Sequence, residues 1–167
     1  MRRYRATHRD RGAAAVEFAL VVPVLLMILF GIVDYGLFFN NSLSVKQGVR
    51  EAARQGVVAN YGATCSMSWS TTPSANMQKL GCTVIDRTSA VTGTSYVKLR
   101  LPNGWTKGKS LIVCEMVKTS GVTGLTPLPS SGIVTSKVEM SIEKATAGQV
   151  ETGGEQTPPS GASWSWC

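Results

Sequence analysis

An Arg-rich dodecapeptide gives way at Ala13 to an apolar run, and from Ala13 to Val33 only Glu17 is charged. As a helix these 21 residues extend roughly 31 Å, close to the thickness of a bilayer's hydrocarbon core. Core helices of soluble domains are seldom apolar for so long, so the run predicts a membrane span over 13–34. Beyond it, three-to-four spacing persists in Tyr35, Phe38, Phe39, Val45, Val49, Ala52, Ala53 and Val57, with Ser42 the polar gap. Asn40, Asn41, Ser44, Gln47, Arg50, Glu51, Arg54 and Gln55 fall on other faces. The pattern predicts one helix from Ala13 to about Val58, roughly 69 Å long, half in lipid and half packed on an extracytoplasmic domain.

After Val58 the period changes. Asn60–Ala75 is rich in Ser, Thr and Gly and reads as loop. Strands are expected at Cys82–Asp86, Ser95–Leu101, Leu111–Lys118 and Ile133–Glu143. In the second of these, Tyr96, Lys98 and Arg100 alternate with Val97, Leu99 and Leu101. Pro102-Asn103-Gly104, Lys107-Gly108-Lys109 and Gly121–Gly132 supply turns. A small antiparallel sheet packed on the outer half of the helix buries both apolar faces, which gives an α+β class. The expected organisation is a leader 1–12, a long helix 13–58, a β-rich domain 59–146 and a flexible Gly/Pro-rich tail 147–167.

Charge sets an expected orientation. Five arginines against Asp10 give the leader +4 of the chain's +7, and a short Arg-rich flank stays cytoplasmic. The basic pI is thus largely topogenic, and no nucleic-acid partner is expected. A cleaved secretion signal fits poorly, because the run is long and no Ala-x-Ala site follows it. Pro23 predicts a bend that a membrane helix tolerates, and Asp34 marks the outer water boundary, with an intersubunit partner as the other option. Lys46, Arg50 and Arg54 form a basic row, read as a solvated face or as a contact for acidic partners.

The remaining side chains argue against catalysis. The only histidine is His8, in the leader, so Ser–His and Cys–His nucleophiles lack a base and a zinc site lacks its usual ligands. Asp86, Glu115, Glu139 and Glu143 could in principle supply paired carboxylates, but Glu139 and Glu143 share the solvent face of one strand. No enzyme activity, metal or cofactor is expected. Cys65, Cys82, Cys114 and Cys167 all lie on the outer side, where disulfides persist. Cys65–Cys82 with Cys114–Cys167 is the favoured pairing, while a free or intersubunit Cys167 stays open.

Glu17 is costly inside a span, so it either snorkels toward the cytoplasmic headgroups as an interfacial residue or asks for a positive partner. A cut between Gly12 and Ala13 would create one: the new α-amino group lies one helical turn from Glu17, or beside the Glu17 of a neighbouring subunit. Gly12 followed by AAAVEF resembles the processing site of class III prepilins. RGAAAVEFALVVPVLLMILFGIVDYG followed by VKQGVREAARQGV resembles the TadE-like minor pilins (pseudopilins) of the tight-adherence, or Flp-type, pilus, with a fainter echo in LTPLP at Leu125–Pro129.

The resemblance implies a pilin-like fold held in the bacterial inner or plasma membrane, N-terminus cytoplasmic and folded domain outside. It implies cleavage after Gly12 by a prepilin peptidase and a mature N-terminus at Ala13. Glu17 would guide subunit docking with Phe18 as its aromatic companion. Other pilin subunits, the pilus assembly platform and the lipid bilayer are the implied partners. Phe18 stands where Flp-type major pilins have Tyr, and the longer body points to a minor subunit. The competing expectation is an uncleaved single-pass protein whose outer domain, with Trp164 and Trp166, holds a ligand.

Overall fold

The computed structural model describes residues 9–62, 64–88, 93–124 and 126–167, with side chains from residue 12 onward. Helix α1, Arg9–Val57, runs unbroken through Pro23 for 49 residues, about 73 Å. Its inner half is nearly bare among the described residues: the most apolar 18-residue window has none of its residues buried. The outer half packs along one face, where Val45, Val49, Ala52 and Ala53 are fully buried. Small residues permit this closeness. A Cβ on Gly48 would lie 2.1 Å from Thr88 Oγ1, and one on Gly56 would lie 2.8 Å from methyl carbons of both Leu80 and Leu111. At the helix end, Ala59 takes a positive φ of 59° and the carbonyl of Val57 accepts the amides of Glu143 and Lys144, both at 3.0 Å.

The apolar stripe of α1 is less regular than its spacing implies. Phe39 is 62% exposed and Leu43 59%, whereas Asn41, assigned by spacing to a polar face, is fully buried.

Four strands follow: β1 Thr94–Arg100, β2 Ser110–Lys118, β3 Ile133–Ser141 and the short β4 Gly154–Glu155. The order is β3-β2-β1-β4 with every neighbour antiparallel. The class is α+β, with the long helix laid on a small antiparallel sheet. Val97, Leu99, Leu111, Val113 and Val117 face α1, as the alternation requires. Ile112, Cys114 and Met116 face the opposite way.

Two expectations are corrected. Cys82–Asp86 is not a strand but the end of helix α2, Ala75–Arg87, which buries Met77, Leu80 and Val84 at helical spacing. A short apolar run does not distinguish a strand from a helix segment by period alone, and the period shows only when the window opens at Ala75. Residues 147–167, read above as a loose tail, instead lie on the sheet. β4 pairs with β1 through Lys98↔Glu155 and Leu99↔Gly154, and Trp164 and Cys167 cover the face of Ile112, Cys114 and Met116.

Candidate functional site

Residues 1–8 of the expected leader lie outside the described residues. Gly12 lies in α1, three residues after Arg9, where the described residues begin. A Cβ placed on Gly12 would meet no atom within 4 Å, so no other described element packs against that residue. Ala13 and Glu17 are exposed, and Phe18 is 69% exposed. Their i, i+4 spacing puts Ala13 and Glu17 on one face of α1. Among the described residues nothing covers that face, which leaves it open to lipid or another helix.

At the end of the apolar run nearer the folded domain, Asp34 departs from the expectation of a residue marking water. It is only 1% exposed because the β2–β3 connection folds over it. Asp34 Oδ1 accepts the backbone amides of Val122 (2.9 Å) and Thr123 (3.3 Å). Oδ2 accepts the hydroxyls of Thr123 (2.5 Å) and Thr126 (2.7 Å). The adjacent Tyr35 donates its hydroxyl to the carbonyl of Pro127 at 2.9 Å. Gly121 makes room, since a Cβ there would lie 3.2 Å from Asp34 Oδ2. Part of the LTPLP segment is thereby hooked to the membrane helix; Leu125 itself lies outside the described residues. The local sequence carries no signal for this contact, because Asp34 and its partners are 88 to 92 residues apart.

Of the four carboxylates considered for acid–base work, the structure brings none together as a pair. Asp86, Glu139 and Glu143 are exposed. Glu139 pairs with Ile112 across β2–β3, on the tail face, whereas Glu115 stands between Val113 and Val117 on the helix face. Glu115 is fully buried. Burial pushes its carboxyl up to about 8, against weaker opposing hydrogen bonds from Thr88 and Ser95. Thr88 Oγ1 donates to Oε2 at 2.7 Å, and Oε1 has no hydrogen-bond partner among the described residues. The core thus holds a neutral carboxylic acid at pH 7.

The cysteines pair as Cys65–Cys82 and Cys114–Cys167, with Cα separations of 5.6 and 6.1 Å. The first ties the loop before α2 to that helix. The second fastens residue 167 to the middle strand, where Arg100 Nη1 (2.7 Å) and Lys137 Nζ (3.2 Å) also donate to the carbonyl of Cys167. Glu151, upstream, accepts hydrogen bonds from Ser74, Asn76 and Gln149. Burial opposes its ionisation, but those donors prevail and hold its carboxyl below the ordinary range.

The tryptophans proposed above as ligand holders are used by the fold itself. Trp164 is 8% exposed, lies 5.8 Å from the ring of Trp166, and donates Nε1–H to Gln156 at 2.9 Å. In the basic row, Arg54 is bound to Glu51 at 2.8 Å, while Lys46 and Arg50 are exposed. Among the described residues no group of three or more His, Cys, Asp and Glu side chains could hold a metal ion.

The helix that carries Gly12, Glu17 and Asp34 is also where a family model matches. Residues 12–54 match the family model of TadE-like proteins, in agreement with the resemblance read from the sequence. No curated protein and no solved structure matches the chain.

Proposed function

We propose, from a TadE-like segment confined to one membrane-length helix, that this protein is a minor pilin or pseudopilin contributing to a tight-adherence (Flp-type) pilus or a related secretion filament. The observation that carries the proposal is the coincidence of the family match at 12–54 with an apolar stretch of the same helix that no described residue buries. Such a half can rest in lipid and later exchange lipid for neighbouring helices without refolding the outer domain.

In this proposal a prepilin peptidase cuts after Gly12. The freed amine of Ala13 then lies one turn from Glu17, and the two charges offset each other's cost in lipid. Before assembly the subunit is a single-pass protein of the bacterial inner or plasma membrane, domain outside. Its partners are the peptidase, other pilin subunits and the assembly platform. The uncleaved ligand-binding alternative is weakened by the burial of Trp164, one of its two nominated tryptophans, the other, Trp166, being half-buried.

Glu17→Ala tests the docking step. Processing at Gly12 should survive, while cross-linking to other pilin subunits in the native membrane and incorporation into filaments should be lost. Filaments with unchanged amounts of the Glu17→Ala subunit would remove the acid from docking.

A further inference from the structure

The hook at Asp34 places the β2–β3 connection at a definite depth. Gly31 lies three residues nearer the membrane centre than Asp34, and a Cβ on it would be 3.8 Å from Thr126 Cγ2. The loop therefore reaches about 4.5 Å below Asp34 along the helix axis. Counted from Ala13, Gly31 is roughly 27 Å along the helix, within a hydrocarbon core of about 30 Å. A water-facing loop would have no reason to descend this far.

Its composition suits that depth. Between Lys118 and Lys137 the sequence has no charged residue. Val122 in this segment is 63% exposed although its own amide is bound to Asp34. The acid is rendered tolerable there by the four hydrogen bonds from the loop, since a carboxylate without donors is costly at such a boundary. Tyr35, 37% exposed with its hydroxyl bound to Pro127, is the kind of amphipathic ring that settles at a membrane interface.

We infer that residues 119–124 and 126–132 form a lipid-seated strap, with Val122 inserted at the glycerol–acyl boundary of the leaflet facing the folded domain. The strap fixes the domain's height and tilt over the membrane while the subunit is stored there. The inference rests on the membrane span alone and holds whether or not residues 1–12 are removed or a filament forms.

Site-specific photo-cross-linking tests it on the full chain in phosphatidylethanolamine–phosphatidylglycerol vesicles. p-Benzoylphenylalanine replaces Val122, or Val24 within the span, or Lys107 in the β1–β2 turn at the far end of the domain. Lipid adducts are expected at Val122 and Val24 and should be lost at Lys107, each variant first shown by intact mass to keep both disulfides. Adducts at Val24 but none at Val122, or adducts from Val122 to a second copy of the chain, would overturn the strap and leave the span standing. No lipid adduct at Val24 would overturn the span and the strap together. Val122→Trp gives an independent reading. Its added fluorescence should be quenched by lipids brominated near the glycerol end of the acyl chain, and unquenched emission would refute the insertion.

Discussion

Replacing Glu115 by Gln should remove a pH dependence built into the core. In the native state the carboxyl titrates at about 8 instead of 4.5. Between those values the folded protein holds a proton that the unfolded chain releases, so stability must fall as pH rises from about 4.5 to about 8 and level off above. A shift from 4.5 to about 8, at about 1.4 kcal/mol per unit, gives a loss of up to ~5 kcal/mol across the window. Glu115→Gln keeps the side-chain shape and an oxygen for the hydroxyl of Thr88, and it cannot ionise. Its unfolding free energy should be nearly flat over the same range. The assay is urea unfolding of the full chain in detergent at steps from pH 5 to 9, followed by tryptophan emission. All four tryptophans, at 69, 105, 164 and 166, report on the outer domain. Every other ionisable group is common to both proteins, so their difference isolates Glu115. Parallel curves for wild type and variant would show that Glu115 is not held neutral. Below about pH 4.5 the wild type should weaken again as Glu151, whose pKa is depressed, takes up a proton and loses the advantage its donors confer.

Other perturbations follow from the same contacts. Gly48→Ala drives a Cβ to 2.1 Å from Thr88 Oγ1, which should cost about 1–3 kcal/mol in the same urea assay. Because Thr88 is the donor to Glu115, that cost should be non-additive with Glu115→Gln. Cys167→Ser opens a 53-residue loop and Cys82→Ser a 17-residue loop. Chain entropy predicts losses of about 4 and about 3 kcal/mol respectively, measurable as shifts in urea midpoint. Asp34→Ala should abolish hydrogen-exchange protection at the amides of Val122 and Thr123 while leaving the sheet amides protected. Unchanged protection there would mean that the hook does not hold the loop.

The sequence revealed features carried by many residues in a regular pattern. The span announces itself through 21 residues with one charge, and β1 through the alternation of Tyr96, Lys98 and Arg100 against Val97 and Leu99. Where few residues bear the burden, the pattern gives out. In α2 the helical period rests on Met77, Leu80 and Val84, with Gly81 and Thr83 between them, two residues of low helix preference. The segment after Ala147 has the Gly and Pro content of a linker, yet Glu151, Trp164 and Cys167 secure it at three separate points. Asp34 reads in the sequence as an interface acid and Glu115 only as a candidate for a carboxylate pair, because nothing in the local pattern marks either as buried. Their burial depends on loops far away in the chain that bring hydroxyl donors, Thr123 and Thr126 for one and Thr88 for the other. Of the residues along the first helix, Gly12, Ala13, Glu17 and Phe18 were legible as a constellation, whereas the hook was not.

The proposed cut between Gly12 and Ala13 underlies the roles assigned to Glu17 and to the exposed half of α1. Intact-mass measurement of the protein recovered from its native membrane, with the prepilin peptidase present and with it deleted, tests that cut directly. Cleavage predicts a chain beginning at Ala13 in the first case and an intact leader in the second. A leader of twelve residues still attached in the presence of an active peptidase would contradict it.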